Sequence, residues 1–396
     1  MTLRSLWIIF FLRLTTMMAQ TDLDAIRYAQ TSTFGTARAQ ALGGAITAVG
    51  ADISSATLTP AGLALMRTST FQFTPSISVN NTTTDFIDQT QFRSSFAANV
   101  PSMGIAITDI KYDDPEAVGK RDGVRSFTFA MGYHQLNNFR RNTLVQNAYN
   151  GFSSISNFFS DLANGTRPED LNPNSFAGLA YNSFVIDLIQ DRPGDPTYFG
   201  AAEDGLIEQT VQIEEEGRQT AWYFSGAANL NDKLMVGLTA NVDVVRFNRT
   251  FDFFEEDADQ VYQVYDPFET NGFPVEIPFE SFRFTDQYDT RGTGLGATFG
   301  LIYRPTNTFR IGASVKSPTF YWMNDVFDSE FSNIVLLDST IGLETITATT
   351  NQDFITRYIL TTPLRANVGL MYQIQKAGFV SMDVEYVDYQ QTSLAS

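Results

Sequence analysis

The chain contains no cysteine, a single histidine (His134) and only 18% charged residues in its 396 positions. Each shortage closes a class of function. Without cysteine there is no disulfide scaffold, thiolate metal site, cysteine nucleophile or lipid-modified N-terminal cysteine. One histidine leaves little for histidine-ligated zinc or haem. Lys and Arg number 26 against 44 Asp and Glu, a net charge of −18, whereas a nucleic-acid partner requires a basic face. Beyond the first residues no run reaches the roughly eighteen apolar positions of a spanning helix. What is present is a packing composition: 43% hydrophobic and 13% aromatic, with 34 Phe and 16 Tyr. Such a chain is not disordered.

Residues 1–19 read as a targeting segment. Arg4 precedes the apolar run Leu6-Trp7-Ile8-Ile9-Phe10-Phe11-Leu12, and Met17-Met18-Ala19 closes it. A positive start, a short apolar stretch and a small residue at the cleavage point are the marks of a signal peptide. The rest of the chain is then outside the cytoplasm, either secreted or an outer-membrane β-barrel.

Period-two alternation favours the barrel. Phe71, Phe73, Ile77 and Val79 alternate with polar neighbours, as do Phe127, Phe129, Met131 and Tyr133. Leu234, Val236, Leu238, Ala240 and Val242 do the same, as do Leu295, Ala297, Phe299, Leu301 and Tyr303, and Leu364 to Tyr372. One apolar face opposite a small or polar one, over long strands, is the dyad pattern of a membrane barrel. About nine strands are expected, at 69–83, 92–110, 124–136, 217–230, 233–252, 281–304, 308–319, 356–373 and 377–390. Tight turns at Asn231-Asp232, Pro305-Thr306-Asn307 and Ile374-Gln375-Lys376 alternate with long inserts at 137–216, 253–280 and 320–355. Outer-membrane barrels pair short periplasmic turns with long external loops in this way. The expected fold is all-β: a transmembrane antiparallel β-barrel over 67–396.

Residues 20–66 differ from the rest. Leu42, Ala45, Ile46 and Val49 share one helical face, Asp52 can cap a helix from Ile53, and Pro60 suits a first helical turn. The segment reads as an N-terminal hatch or plug. The insert 137–216 is too long for a plain loop and reads as a helical external loop. Phe158, Phe159 and Leu162 form one apolar stripe; Phe176, Leu179, Phe184 and Leu188 form a second. These stripes either make a capture groove for an apolar ligand or close the barrel top.

Strand parity turns Arg310, Lys316 and Arg365 inward with Asp243, Asp383 and Glu385. The three cations are candidate anchors for a ligand carboxylate, or members of a network holding plug to wall. Acidic runs at Glu214-Glu215-Glu216 and Glu255-Glu256-Asp257, with Asp259, could hold bridging divalent cations, but their spacing fits no EF-hand. His134 falls on the lumen side with no nucleophile motif beside it. The expectation is therefore no enzyme, no catalytic residues, no metal and no cofactor.

The order of motifs resembles the FadL/TodX family of outer-membrane transporters, and within it the Bacteroidetes hemin-receptor-like branch. The matching residues are Ala37-Arg38-Ala39-Gln40-Ala41-Leu42-Gly43-Gly44-Ala45, Asp52-Ile53-Ser54-Ser55 and Thr59-Pro60-Ala61-Gly62-Leu63. Further along are Gly132-Tyr133-His134-Gln135-Leu136-Asn137-Asn138-Phe139, Asn229-Leu230-Asn231-Asp232-Lys233 and Gly300-Leu301-Ile302-Tyr303-Arg304-Pro305. The resemblance implies a plugged barrel of about fourteen strands, within the even range of single-chain barrels. It implies uptake of long-chain fatty acids or aromatic hydrocarbons by gated passive diffusion, with exit through a gap in the wall. The hatch motif falls on Thr59, Pro60, Ala61 and Gly62, with Thr59 where the family usually has Asn. The gap falls near Gly132, Asn137 and Asn138. Outer-membrane lipid and an apolar small molecule are the implied partners of a monomer in the bacterial outer membrane. A secretion-system interaction barrel, a hemin-receptor-like protein or a general porin are the alternatives.

An odd strand number does not return both ends of a barrel to one side. The chain is therefore expected to lack about five C-terminal strands, with 69–83 and 377–390 as unpaired edges.

Overall fold

A computed structural model describes residues 22–30, 35–86, 89–111, 123–150, 154–190, 196–200, 206–258, 279–338, 342–350, 354–375 and 377–395. The expected signal peptide and Asp259 lie outside them.

The described chain opens with a helix, α1 (Asp22–Ala29), followed by the short helices α2 (Ala37–Ala41) and α3 (Ser55–Leu58) and a 3-10 turn over Pro60–Leu65. The helix expected to run through Val49 stops at Ala41. Gly43 and Gly44 take φ of +61° and +83° there, and the Gly44 N–H bonds the Ala39 carbonyl, a glycine stop. Leu42 to Val49 thus never share a helical face. The helix after Asp52 begins at Ser55 rather than Ile53, and Asp52 accepts the Ser54 N–H just ahead of it at 2.8 Å. Pro60 does open its helical turn, where its missing N–H costs nothing.

The strands follow. They are β1 (Thr70–Phe86), β2 (Gln89–Ile110), β3 (Val124–Asn138) and β4 (Arg141–Asn150). Next come helices α4 (Ile155–Ala163) and α5 (Phe176–Asn182), with a small hairpin of β5 (Ile186–Gln190) and β6 (Thr197–Gly200). Then come β7 (Ile207–Leu230), β8 (Leu234–Asp257), β9 (Phe279–Tyr303) and β10 (Phe309–Lys316). The last are β11 (Phe320–Asp338), β12 (Gly342–Thr349), β13 (Phe354–Thr361), β14 (Arg365–Ile374), β15 (Gly378–Val387) and β16 (Ser393–Ala395). All but β5 and β6 join one antiparallel, strongly curved, open sheet whose main path is β1-β2-β3-β7-β8-β9-β10-β14-β15. β1 and β15 are its two ends, and no ladder joins them among the described residues.

Two inserts are less loop-like than the sequence reading had them. The stretch 137–216 carries β4 and the start of β7 as well as helices, and 320–355 is largely β11 and β12. β10 and β11 are one wall strand interrupted at Ser317-Pro318-Thr319, since both pair with β9. β14 and β13 are interrupted at the same level, at Thr362-Pro363-Leu364. Proline has no N–H for a ladder, and the break is closed by side chains. Thr319 N–H donates to Thr362 Oγ1 at 2.9 Å, and Ala297 N–H to Ser317 Oγ at 3.0 Å.

The two faces of the sheet differ completely. Along β7 the odd positions Gln219, Ala221, Tyr223, Ser225 and Ala227 are buried, while Arg218, Trp222 and Phe224 face outward. Register carries this parity across the wall. The outward rows run Trp222–Val242–Leu295–Phe320, then Gly226–Leu238–Phe299–Val315 and Ala228–Val236–Leu301–Ala313. Trp222, Leu238, Leu295, Phe299 and Phe320 are each about half exposed or more. From the row of Thr220 to that of Leu230 the outward face carries no charge on β7, β8 or β9. Ten residues at about 3.3 Å each, tilted by about 45°, give a band roughly 24 Å tall. The short Asn231-Asp232 turn, with both φ at +56°, marks its lower end, as a type I′ hairpin does.

Candidate functional site

The concave face is filled by residues 22–30 and 35–66, and the filling is specific. The wall is stripped of side chains where the hatch approaches. A Cβ at Gly237 would lie 2.4 Å from the Pro60 carbonyl carbon, and one at Gly300 2.9 Å from Pro60 Cδ. Gly312 and Gly369 make the same room for Thr47. Thr59, Pro60, Ala61 and Gly62 are all buried, and Gly62 is packed against Ser55 and Gly50. Ile53, Ala56, Ala61, Leu63 and Ala64 form one apolar cluster with wall residues Ala106, Ala130, Tyr223, Met235 and Ile302.

Polar ties fix the hatch. Arg310 donates to the Val49 carbonyl at 2.8 Å, and Asp383 accepts the Thr47 N–H at 2.8 Å. Arg365 pairs with Glu385 at 2.9 Å and donates to the Ala29 carbonyl. His134, buried, stacks on Tyr223 at 4.9 Å with Nδ1 3.0 Å from Thr57 Oγ1. Arg310 and Arg365, named from parity as carboxylate anchors, are thus bonded to hatch carbonyls. Lys316 stands opposite Arg365 in the ladder, part-buried.

Above the hatch, α1 lies inside the sheet. Tyr28 packs edge-on to Phe139 and Phe247 at 5.8 and 6.3 Å, and Arg27 sits 4.3 Å over the Phe247 ring. Gln219 donates to the Tyr28 carbonyl at 3.2 Å and to the Tyr321 hydroxyl at 2.8 Å, and Tyr321 donates in turn to Asp243 at 2.6 Å.

The wall parts between β2 and β3. Their ladder runs up from Ile110–Ser126 and stops at Ser102–His134. Pro101 follows Val100 at that level, the β1–β2 register slips there opposite Pro75, and β3 bulges between Gln135 and Asn137. The orphaned Val100 carbonyl receives the Tyr133 hydroxyl at 2.8 Å, and Asn99 donates to Gln135 Oε1 at 3.1 Å. A cavity of about 430 Å³ opens here, lined by Asn99, Val100, Tyr133, Gln135, Arg218, Thr220, Trp222, Val244 and Arg246. A second, of about 250 Å³, adds Asn138 and Arg140. Of the three gap residues read from sequence, Asn138 lines the opening and Asn137 sits in the bulge. Gly132 does not mark a break. It is paired with Gly104, and the two glycines make room for the Tyr223 phenol. The sequence signal that was missed is Pro101 with Pro75, two prolines facing each other in adjacent strands.

The cap over the upper sheet splits the predicted capture residues. Phe159 and Leu179 are buried in a cluster with Phe253, Phe282, Phe284 and Phe331 of the wall. Leu188 packs against that cluster, while Phe158, Leu162, Phe176 and Phe184 remain exposed. The seven thus do not share one exposed surface, since Phe159 and Leu179 are turned into the core. Phe184 holds φ at +59°, an uncommon left-handed state for a bulky residue. The cap is pinned by a buried carboxylate. Glu255 accepts the Ser154 hydroxyl, the Ile155 N–H at 3.1 Å and Gln209 Nε2 at 2.6 Å, at the N-terminus of α4. Burial raises its carboxyl above the ordinary glutamate value, against the pull of those bonds.

Together these features define a class: an antiparallel wall, apolar outside, filled inside by its own N-terminal segment and interrupted at one flank. No protein-family model matches the chain, and no curated protein does. Among solved structures, that of the Pseudomonas putida toluene transporter TodX aligns over 91% of this chain and 85% of its own. The identity is 12% and the TM-score 0.34.

Proposed function

We propose that the chain forms the wall and plug of an outer-membrane channel that admits apolar molecules by gated passive diffusion. The observation that carries this reading is the division of the sheet into an uncharged outward band about as tall as a bilayer core and a concave face occupied by residues 22–30 and 35–66. Long-chain fatty acids or aromatic hydrocarbons are the substrate class. Such molecules would descend from the apolar cap, where Phe158, Leu162, Phe176 and Phe184 offer first contact. The route continues beside α1 and leaves sideways into lipid through the β2–β3 fissure, because the hatch below is packed against the wall. In this reading Arg310 and Arg365 hold the plug, and Thr59 to Gly62 fill space against Gly237 and Gly300.

Because the chain has no cysteine, a pair introduced by Asn99→Cys and Gln135→Cys would be its only thiols. Bridging them with a short thiol-reactive linker should stop uptake of labelled fatty acid in cells carrying the protein, and reversal of the linker should restore it. Unchanged uptake with the bridge in place would exclude this exit.

A further inference from the structure

One outward row breaks the apolar pattern. Strand register places Asn138 of β3 beside Arg218 of β7, Arg218 beside Arg246 of β8, and Arg246 beside Arg291 of β9. Arg291 stands beside Asn324 of β11, and Asn324 beside Arg357 of β13. Six successive strand positions thus carry four guanidiniums and two carboxamides along one ladder row, which runs oblique to the membrane plane because the strands tilt. At about 4.8 Å per strand the row spans roughly 24 Å. The four arginines are exposed. Arg291 is held by Asp289 at 2.9 Å, whereas Arg218, Arg246 and Arg357 have no ion pair among the described residues.

Like charges directly opposite one another in neighbouring strands destabilise a sheet. Three consecutive arginines are therefore a poor surface unless an anion lies between them. The placement is equally specific. Immediately below, toward the short turns, come Trp322 in the first outward row and Trp222 in the second, the only tryptophans after Trp7. Aromatic girdles sit at the edge of the lipid-facing band. Immediately above, the outward positions of β7, β8 and β9 turn acidic or polar: Glu216, Asn248 and Asp289, then Glu214, Thr250 and Gln287, with Asp328 of β11 beside Gln287, while Val326 and Ile355 continue the first of these rows as apolar positions. On β7, β8 and β9 these cations border the uncharged band, where acyl chains would give way to headgroups, on a molecule otherwise strongly negative.

We propose that this row is a binding site for phosphorylated lipid headgroups of the leaflet nearest the cap. The guanidinium forks of Arg218, Arg246, Arg291 and Arg357 would take the phosphates, and the apolar rows beneath them the acyl chains. Arg218 and Arg246 also line both cavities at the fissure, so a lipid held there stands at the proposed exit. The proposal rests on the membrane placement above.

The test uses the intact protein, reconstituted with a lipid bearing phosphate monoesters on its headgroup or with the same lipid dephosphorylated, and counts retained lipid by native mass spectrometry. The wild type should retain the phosphorylated lipid about tenfold better than its dephosphorylated form, and the preference should fall with salt. The triple variant Arg218→Gln, Arg246→Gln, Arg291→Gln should lose that preference. A control altering the higher, exposed Arg283→Gln and the cap's Arg167→Gln should keep it, and Arg218→Lys with Arg246→Lys should keep part of it. Equal retention of both lipids by the wild type, or an unchanged preference in the triple variant, would overturn the row while leaving the membrane placement intact. Displacement by low millimolar inorganic phosphate would overturn it in favour of a soluble-anion site. Failure to enter any bilayer would overturn both readings. If the triple variant misfolds, the lysine pair and the salt dependence still decide.

Discussion

Gly104 and Gly132 face each other across β2 and β3 because a phenol occupies the place of their side chains. A Cβ at Gly132 would lie 2.3 Å from the Met103 carbonyl oxygen and 2.7 Å from the Tyr223 hydroxyl. Gly132→Val should therefore destabilise the protein by about 1–3 kcal/mol, as overpacking does, read as a lower denaturation midpoint, with Tyr223→Phe recovering little. Glu255 makes a prediction of opposite kind. Its folded carboxyl is raised above the ordinary 4.5, so its contribution to cap docking is fully present below that value. It is lost as pH climbs from there through the raised folded value. Amide exchange over 155–163, corrected for intrinsic rate, should quicken as pH rises above the ordinary glutamate value of 4.5. Glu255→Gln should flatten that dependence; a flat wild-type profile would remove Glu255 as the pin. At this scale the sequence was partly legible. Strand parity named Arg310 and Arg365 as inward, but could not say that hatch carbonyls from Val49 and Ala29 meet them, because those contacts join positions 261 and 336 residues apart.

Among the elements, strands within the apolar band were readable because each alternates an uncharged outward face with a small or polar inward one. β11 was not. Polar residues fall on both of its faces, so Asn324, Asp325, Asp328 and Ser329 read as loop although all are paired. β4 is hidden for the same reason. The α4 stripe misled in another way. Phe158 and Phe159 are adjacent, hence about 100° apart on a helix, and only Phe159 reaches the wall. The helix expected over 36–49 failed because its repeat of small residues includes Gly43 and Gly44, which end it. The hatch as an element is held to the wall by the Arg310, Arg365 and Asp383 ties. Removing two of them, by Arg310→Ala with Asp383→Ala, should raise passive permeability to small polar solutes several-fold in reconstituted vesicles, each lost tie being worth on the order of 1–3 kcal/mol. Permeability equal to wild type in a folded double variant would remove these contacts from the closure.

For the whole molecule, the account stands on which face meets lipid. The outward band, the aromatic residues near it and the arginine row all follow from one parity carried by register from β3 to β13. A single slipped strand would have mixed the faces, and within the wall the register is continuous along all of β7–β8 and β8–β9. The most direct measurement is a single-cysteine spin-label scan along β8, from Met235 to Asn248, in a chain that has no cysteine of its own. Collisions with dissolved oxygen and with a water-soluble relaxer should alternate with period two. Val236, Leu238, Ala240, Val242 and Val244 should be lipid-exposed, the positions between them shielded from both relaxers, and the signal should turn aqueous at Arg246 and Asn248. A scan in which the outward positions are water-accessible throughout, or in which no two-residue period appears, would contradict the membrane wall and the channel built upon it.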